Sequence, residues 1–79
     1  MMLNIGFGNV VAKDKIVVIS ACDSSPVRRY REEKAGRGKL IDVTQGRKTR
    51  SVIFTTSDQL ILSAVAVETL VRRLREAQS

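Results

Sequence analysis

The segment Gly46-Arg47-Lys48-Thr49-Arg50 carries the residues best suited to chemistry with a polyanion. A glycine-bearing turn brings backbone and side chains close to an approaching surface. Arginine offers a planar fork of donors to phosphate, and lysine offers a compact point charge. Arginine also makes the commonest base-specific contact, to guanine in the major groove. Thr49 adds a hydroxyl for phosphate. Around this segment lies the whole charge excess of the chain. Arg28 to Arg50 holds Arg28, Arg29, Arg31, Lys34, Arg37, Lys39, Arg47, Lys48 and Arg50 against Glu32, Glu33 and Asp42, which equals the net charge of +6. The flanks on either side balance to zero. A basic middle between neutral flanks is the footprint of one surface that meets a polyanion.

A second group of cations, Arg28, Arg29 and Arg31, opens an expected helix, where positive charge opposes the helix dipole. Two readings stand for it: a phosphate or subunit contact, or i,i+4 pairing of Arg28 and Arg29 with Glu32 and Glu33. In sequence, Arg47 to Arg50 has no acidic neighbour. Lys13 and Lys15 flank a turn, where lysine is ordinary.

Enzyme chemistry finds little here. There is no histidine for proton transfer, and Cys22 is a lone thiol with no histidine to activate it. Gly6-Phe7-Gly8 lacks the third glycine and helix of a dinucleotide site, and Gly36-Arg37-Gly38-Lys39 lacks P-loop spacing. Both glycine pairs read as a bend and a helix cap. No metal, cofactor or small-molecule substrate is expected.

The elements that must position the cations come from patterning. With 79 residues there is room for one domain, 1–79, with a small core. One cysteine excludes an intrachain disulfide and a structural zinc site, so self-association is the support left for such a domain. A lone thiol suits a reducing compartment, and no segment approaches the roughly 18 apolar residues of a membrane span, so a cytoplasmic protein with no membrane contact is expected.

Leu3 to Ala12 reads as two short strands around the Gly6-Phe7-Gly8 bend, and Lys13 to Lys15 as a turn. Ile16 to Ala21 is a β-branched run expected to be a strand buried on both faces. Ser25 as cap and Pro26 at the first position start a helix over Val27 to Ala35, stopped at Gly36-Arg37-Gly38. Leu40 to Thr44 and Thr49 to Thr56 are expected to pair as a β-hairpin across Gln45 to Lys48, with Lys48 and Arg50 on one strand face. Leu60 to Val65 is a further strand. Glu68 to Ala77 is a helix with Val67, Leu70, Val71 and Leu74 as its apolar stripe. The fold class is α+β: a small, mostly antiparallel sheet, one short internal helix and a C-terminal amphipathic helix.

These blocks, in order, resemble the RemA family of small bacterial regulators of extracellular matrix genes. The resemblance rests on Asn4-Ile5-Gly6-Phe7-Gly8-Asn9, Ser24-Ser25-Pro26, Gly38-Lys39-Leu40-Ile41-Asp42, Thr44-Gln45-Gly46-Arg47-Lys48-Thr49-Arg50, Ser57-Asp58, Leu62-Ser63-Ala64-Val65 and Glu68-Thr69. It implies a transcriptional regulator of matrix and biofilm genes that binds double-stranded DNA as a ring-like homo-oligomer. It carries DNA contacts onto Arg47, Lys48 and Arg50, and onto Lys15, where the family pattern has arginine. Lys48 likewise stands where the family has arginine. Lysine keeps the charge at both positions but loses the fork. Two alternatives use the same charge: an RNA-binding module, and a non-catalytic scaffold for an acidic protein partner. The scarcity of aromatics, Phe7, Tyr30 and Phe54, weighs against base stacking on a single strand.

Overall fold

The computed structural model describes residues 1–76. Its elements are β1 (Met2–Gly6), β2 (Asn9–Ala12), a 3-10 turn (Lys13–Lys15), β3 (Ile16–Ala21), α1 (Ser25–Gly36), β4 (Leu40–Asp42), β5 (Ser51–Thr55), β6 (Leu60–Ser63) and α2 (Val67–Glu76). The α+β class read from the sequence is the class observed. The expected end of the last helix at Ala77 lies outside the described residues.

β1 and β2 form an antiparallel hairpin. The other strands make one sheet in the order β3-β5-β6-β4. Strand alternation divides its faces. Ile53 and Ile61 join Leu3, Ile5 and Leu70 in a core beneath the hairpin and α2. Val52, Leu60 and Leu62 join Val27 in a second core beneath α1. β6 is covered on both sides and every one of its residues is buried. The apolar stripe of α2 seats Leu70 with no exposure, and Leu74 packs against the same cluster.

α1 is held at its far end by a buried lysine. The Lys34 ammonium donates to Asp58 Oδ1 at 2.6 Å, in the β5–β6 turn, while the Tyr30 ring lies 6.0 Å away. Tyr30 in turn meets Phe54 edge-to-face at 5.4 Å.

Four expectations are corrected. β4 and β5 do not pair: β6 lies between them, antiparallel to β5 and parallel to β4. Residues 47 to 50 consequently form a crossover loop, and no strand alternation places Lys48 with Arg50. β3 is an edge strand with Val17 61% and Val18 46% exposed, because a bulge between Ile16 and Val18 and the sheet edge leave it half covered. The cap of α1 is Ser24, whose Oγ accepts from the Val27 N–H and whose carbonyl takes the Arg28 N–H, so the helix begins one turn position earlier than Pro26 alone indicates. The glycine stop is observed, with Gly38 at φ 70°.

Candidate nucleic-acid interface

The basic loop is built from its ends. Asp42 closes β4, and its Oδ1 accepts both the Thr44 N–H at 2.9 Å and the Thr44 hydroxyl at 2.6 Å. Thr44 is buried. The Thr44 hydroxyl and N–H hold the Asp42 carboxyl below its ordinary value against the opposing effect of burial, with the lesser help of the Arg31 charge. Thr44 then accepts the Arg47 N–H at 3.1 Å across Gln45 (φ 52°) and Gly46 (φ 79°), the φ signs of a type I′ turn.

Both ends of the loop are stitched to the same strand. The Val43 N–H reaches the Leu62 carbonyl and the Arg50 N–H reaches the Ser63 carbonyl, at 3.0 and 2.8 Å. Between them the Cys22 thiol donates to the Thr49 carbonyl at 2.9 Å. The backbone is therefore fixed while Arg47, Lys48 and Arg50 are exposed. Ion pairs within 4 Å among the described residues involve other cations: Lys34, Arg37 and Arg72. The basic loop keeps its charge available.

The fold adds an unexpected neighbour. Phe7, Arg47, Lys48, Arg50 and Ala64 line one groove. Phe7 is 47% exposed and sits in the left-handed region at φ 53°, between Gly6 at 106° and Gly8 at 78°. A bulky side chain in that region costs on the order of 1–3 kcal/mol, and such strain concentrates at functional sites. The turn is held by Asn4 Oδ1, which accepts the Gly6 N–H, and by the Asn9 amide, which donates to the carbonyls of Gly6 and Phe7. At Gly6 a Cβ would come within 3.1 Å of Val65, so the hairpin lies close against the start of the α2 connection. The only sequence sign of Phe7's place was a large aromatic between two glycines.

A second hollow beside the loop is lined by Lys48, Thr49 and Arg50 together with Asp23 and Glu68. Acidic groups absent from the loop's sequence neighbourhood thus border it in space, without closing an ion pair on it.

The other predicted cations fall elsewhere. Lys15 is exposed at the start of β3, beside Thr56, whose N–H it accepts at 2.8 Å. Ile16 pairs with Thr55 and Ala21 with Ser51, so Lys15 and the basic loop occupy opposite ends of the sheet. The six residues of β3 separate them by about 20 Å of strand at roughly 3.3 Å per residue. Arg28, Arg29 and Arg31 lie on α1, with Arg28 and Arg31 above Leu40 and Arg29 beside Tyr30. Of the two readings for these arginines, i,i+4 pairing of Arg28 and Arg29 with Glu32 and Glu33 is not formed; Glu33 pairs forward with Arg37 at 3.4 Å. No group of His, Cys, Asp and Glu among the described residues could hold a metal, and no helix there is long and apolar enough to cross a membrane.

The domain is a small α+β sheet between one helix on one face and a hairpin with a second helix on the other, and it presents a braced cationic crossover loop. The family is specific. The family model described as RemA-like, extracellular matrix regulatory protein A-like, matches residues 2–74, and this chain belongs to that family. A "Putative regulatory protein" of Thermodesulfovibrio yellowstonii is 53% identical over 76 residues, covering 96% of this chain and 89% of its own. Proteins of the same name from Thermotoga petrophila and Heliobacterium modesticaldum are 52% and 50% identical, covering 95% and 99% of this chain and 82% and 86% of their own. The role that the family and these relatives support is regulatory.

Proposed function

We propose that this protein is a non-catalytic transcriptional regulator that binds double-stranded DNA through the Arg47–Arg50 loop as a ring-like homo-oligomer. The observation that carries this reading is the loop itself: three exposed cations without ion-pair partners among the described residues, on a backbone anchored at both ends to β6. Such a loop suits phosphate contacts that set position, with Arg47 free to reach a base edge.

Three cations alone bind weakly at physiological salt, since affinity falls steeply as counterions compete. Repetition of the loop around an assembly raises the effective concentration of each contact. The β3 edge supports self-association: its outer backbone is unpaired, and Val17 and Val18 border an apolar hollow with Tyr30 and Phe54. Assembly also gives Lys15 a role, as a phosphate contact supplied by a neighbouring copy to DNA held at another copy's loop. Duplex is favoured over single-stranded RNA because Tyr30 and Phe54 pack on the α1 side, which leaves Phe7 as the one ring at the loop. The target genes in this reading are those of extracellular matrix and biofilm formation, and the protein works in the cytoplasm.

The test is fluorescence anisotropy with a labelled duplex across a salt series, beside light scattering for mass. The double variant Arg47→Ala/Lys48→Ala should lose duplex binding and keep its assembly mass. Undiminished affinity in that variant would refute the assignment of the loop, and preference for RNA over duplex in direct competition would refute the choice of nucleic acid.

A further inference from the structure

We infer that Phe7 is an apolar DNA-contacting residue, which packs against the sugar and base edges of the groove whose phosphates the basic loop holds. This rests on the duplex-binding reading above and adds to it the part of the affinity that does not depend on charge.

Three observations converge on the residue. Phe7 is a large aromatic left 47% exposed beside the basic loop, whereas Tyr30, of similar exposure, makes an edge-to-face contact with Phe54 on the α1 side. It lines one groove with Arg47, Lys48 and Arg50, so whatever those cations hold lies against its ring. Its backbone stands at φ 53° in a turn where Asn4 Oδ1 accepts the Gly6 N–H and the Asn9 amide donates to the Phe7 carbonyl, a conformation in which asparagine or glycine would be more comfortable than phenylalanine. A residue chosen for the turn would be one of those. Phenylalanine is therefore selected by something outside the turn.

The hairpin and the loop keep a fixed relation because both are tied to Ser63: its hydroxyl donates to the Ile5 carbonyl and its carbonyl accepts the Arg50 N–H. Phe7 and Arg50 therefore approach a ligand as one surface. A polyanion with apolar surface between its charges matches that surface, and duplex DNA has it in its sugars, base edges and thymine methyls.

Electrostatic and apolar contacts separate in a salt series. A lost phosphate contact lowers the slope of log affinity against log salt by about 1, whereas a lost apolar contact releases no counterions and shifts the line without tilting it. Phe7→Asn is the variant of choice because asparagine tolerates the left-handed backbone, and Phe7→Leu keeps part of the apolar volume.

The expected result is that Phe7→Asn binds the labelled duplex about tenfold more weakly with an unchanged slope, from loss of half-exposed ring burial. Phe7→Leu should fall between it and the wild type, and both should keep the wild-type assembly mass and an unfolding midpoint no lower. Equal affinity of Phe7→Asn and wild type overturns the inference. A reduced slope overturns it too, by making Phe7 a support for the cations, and a reduced mass overturns it by making Phe7 a subunit contact. Failure of the wild type to bind duplex at all strikes the underlying reading instead, and it is seen before any variant is compared.

Discussion

The Ser63 hydroxyl donates a 2.7 Å hydrogen bond to the carbonyl of Ile5, across 58 positions of the chain. The same oxygen accepts the Val65 N–H at 3.1 Å, and Ser63 itself is fully buried. One small polar side chain thus joins the hairpin to the central strand just where the basic loop is attached. Replacing it leaves the buried Ile5 carbonyl and the part-buried Val65 N–H without that partner, which costs about 1–3 kcal/mol where a buried partner is removed. Ser63→Ala should lower the urea midpoint with an unchanged denaturant slope, and should weaken duplex binding because Phe7 and Arg50 lose their common anchor. A stable Ser63→Ala protein with wild-type affinity would show that the two loops need no such link.

Lys48→Arg tests what kind of contact position 48 makes. The charge is conserved, so the salt slope should stay the same, while the restored fork should raise affinity several-fold if the residue can reach phosphate or guanine in two-point geometry. The measurement is the same anisotropy series, and a changed slope would mean that the number of phosphates contacted had changed.

The exposed β3 edge gives a prediction for assembly. Val18→Asp places a charge on the half-covered edge strand, 46% exposed in the single chain. Charged residues on an edge oppose strand-to-strand association. Light scattering should report a fall to smaller species, far-UV dichroism should be unchanged, and duplex affinity should drop sharply although no DNA contact was altered. In that dissociated background, Lys15→Ala should cost little further, since in the proposed assembly Lys15 reaches the DNA from a neighbouring copy.

The Lys34–Asp58 contact makes an asymmetric prediction. Lys34 is buried while Asp58 is more than half exposed. Asp58→Ala leaves an ammonium without its carboxylate, whereas Lys34→Met replaces a buried cation by a stem of similar shape. Asp58→Ala should therefore show the lower urea midpoint of the two, and the reverse order would mean that the ion pair itself stabilises the helix against the sheet.

Acid should reveal the two carboxylates. The hydrogen bond and charge of Lys34 lower the Asp58 pKa, and the Thr44 hydroxyl lowers that of Asp42. A depressed folded pKa gives stability that is present above the unfolded value, 3.8 for aspartate, and is lost as pH falls through the lower folded value. Stability should be flat in these groups from neutral pH down to about 4 and decline below. Asp42→Asn should show a shallower decline. Both groups are largely solvated, so screening keeps the contribution modest.

Much of this arrangement could be read from residue patterns, and the errors have identifiable causes. The turn at Gln45-Gly46 was visible from its glycine, and it does take positive φ. The hairpin inferred from it failed because hairpin logic assumes that strands adjacent in sequence pair, whereas β6 inserts between β4 and β5. The β-branched run Ile16–Ala21 is a strand, but its composition could not separate a strand buried on both faces from a half-exposed edge strand. The cations of the loop were legible from charge alone. Phe7 was not, because it reaches the basic loop only once the β1–β2 hairpin docks on the sheet, where Ser63 bonds Ile5, and neither propensity nor periodicity encodes a contact between segments 58 residues apart.

That contact has a consequence for how the protein comes into being. The Ser63–Ile5 bond and the Arg73 guanidinium on the Asn4 carbonyl join the first strand to segments 58 and 69 residues later. Contacts of such separation are the slowest to form, since the closure entropy of the intervening chain must be met first. A nascent chain released from the ribosome only as far as β5 already displays Arg47 to Arg50, yet has neither β6 to anchor them nor α2 to seat the hairpin. Partly made copies should therefore have the charge without the shaped surface, and only chains completed through α2 should compete for specific sites.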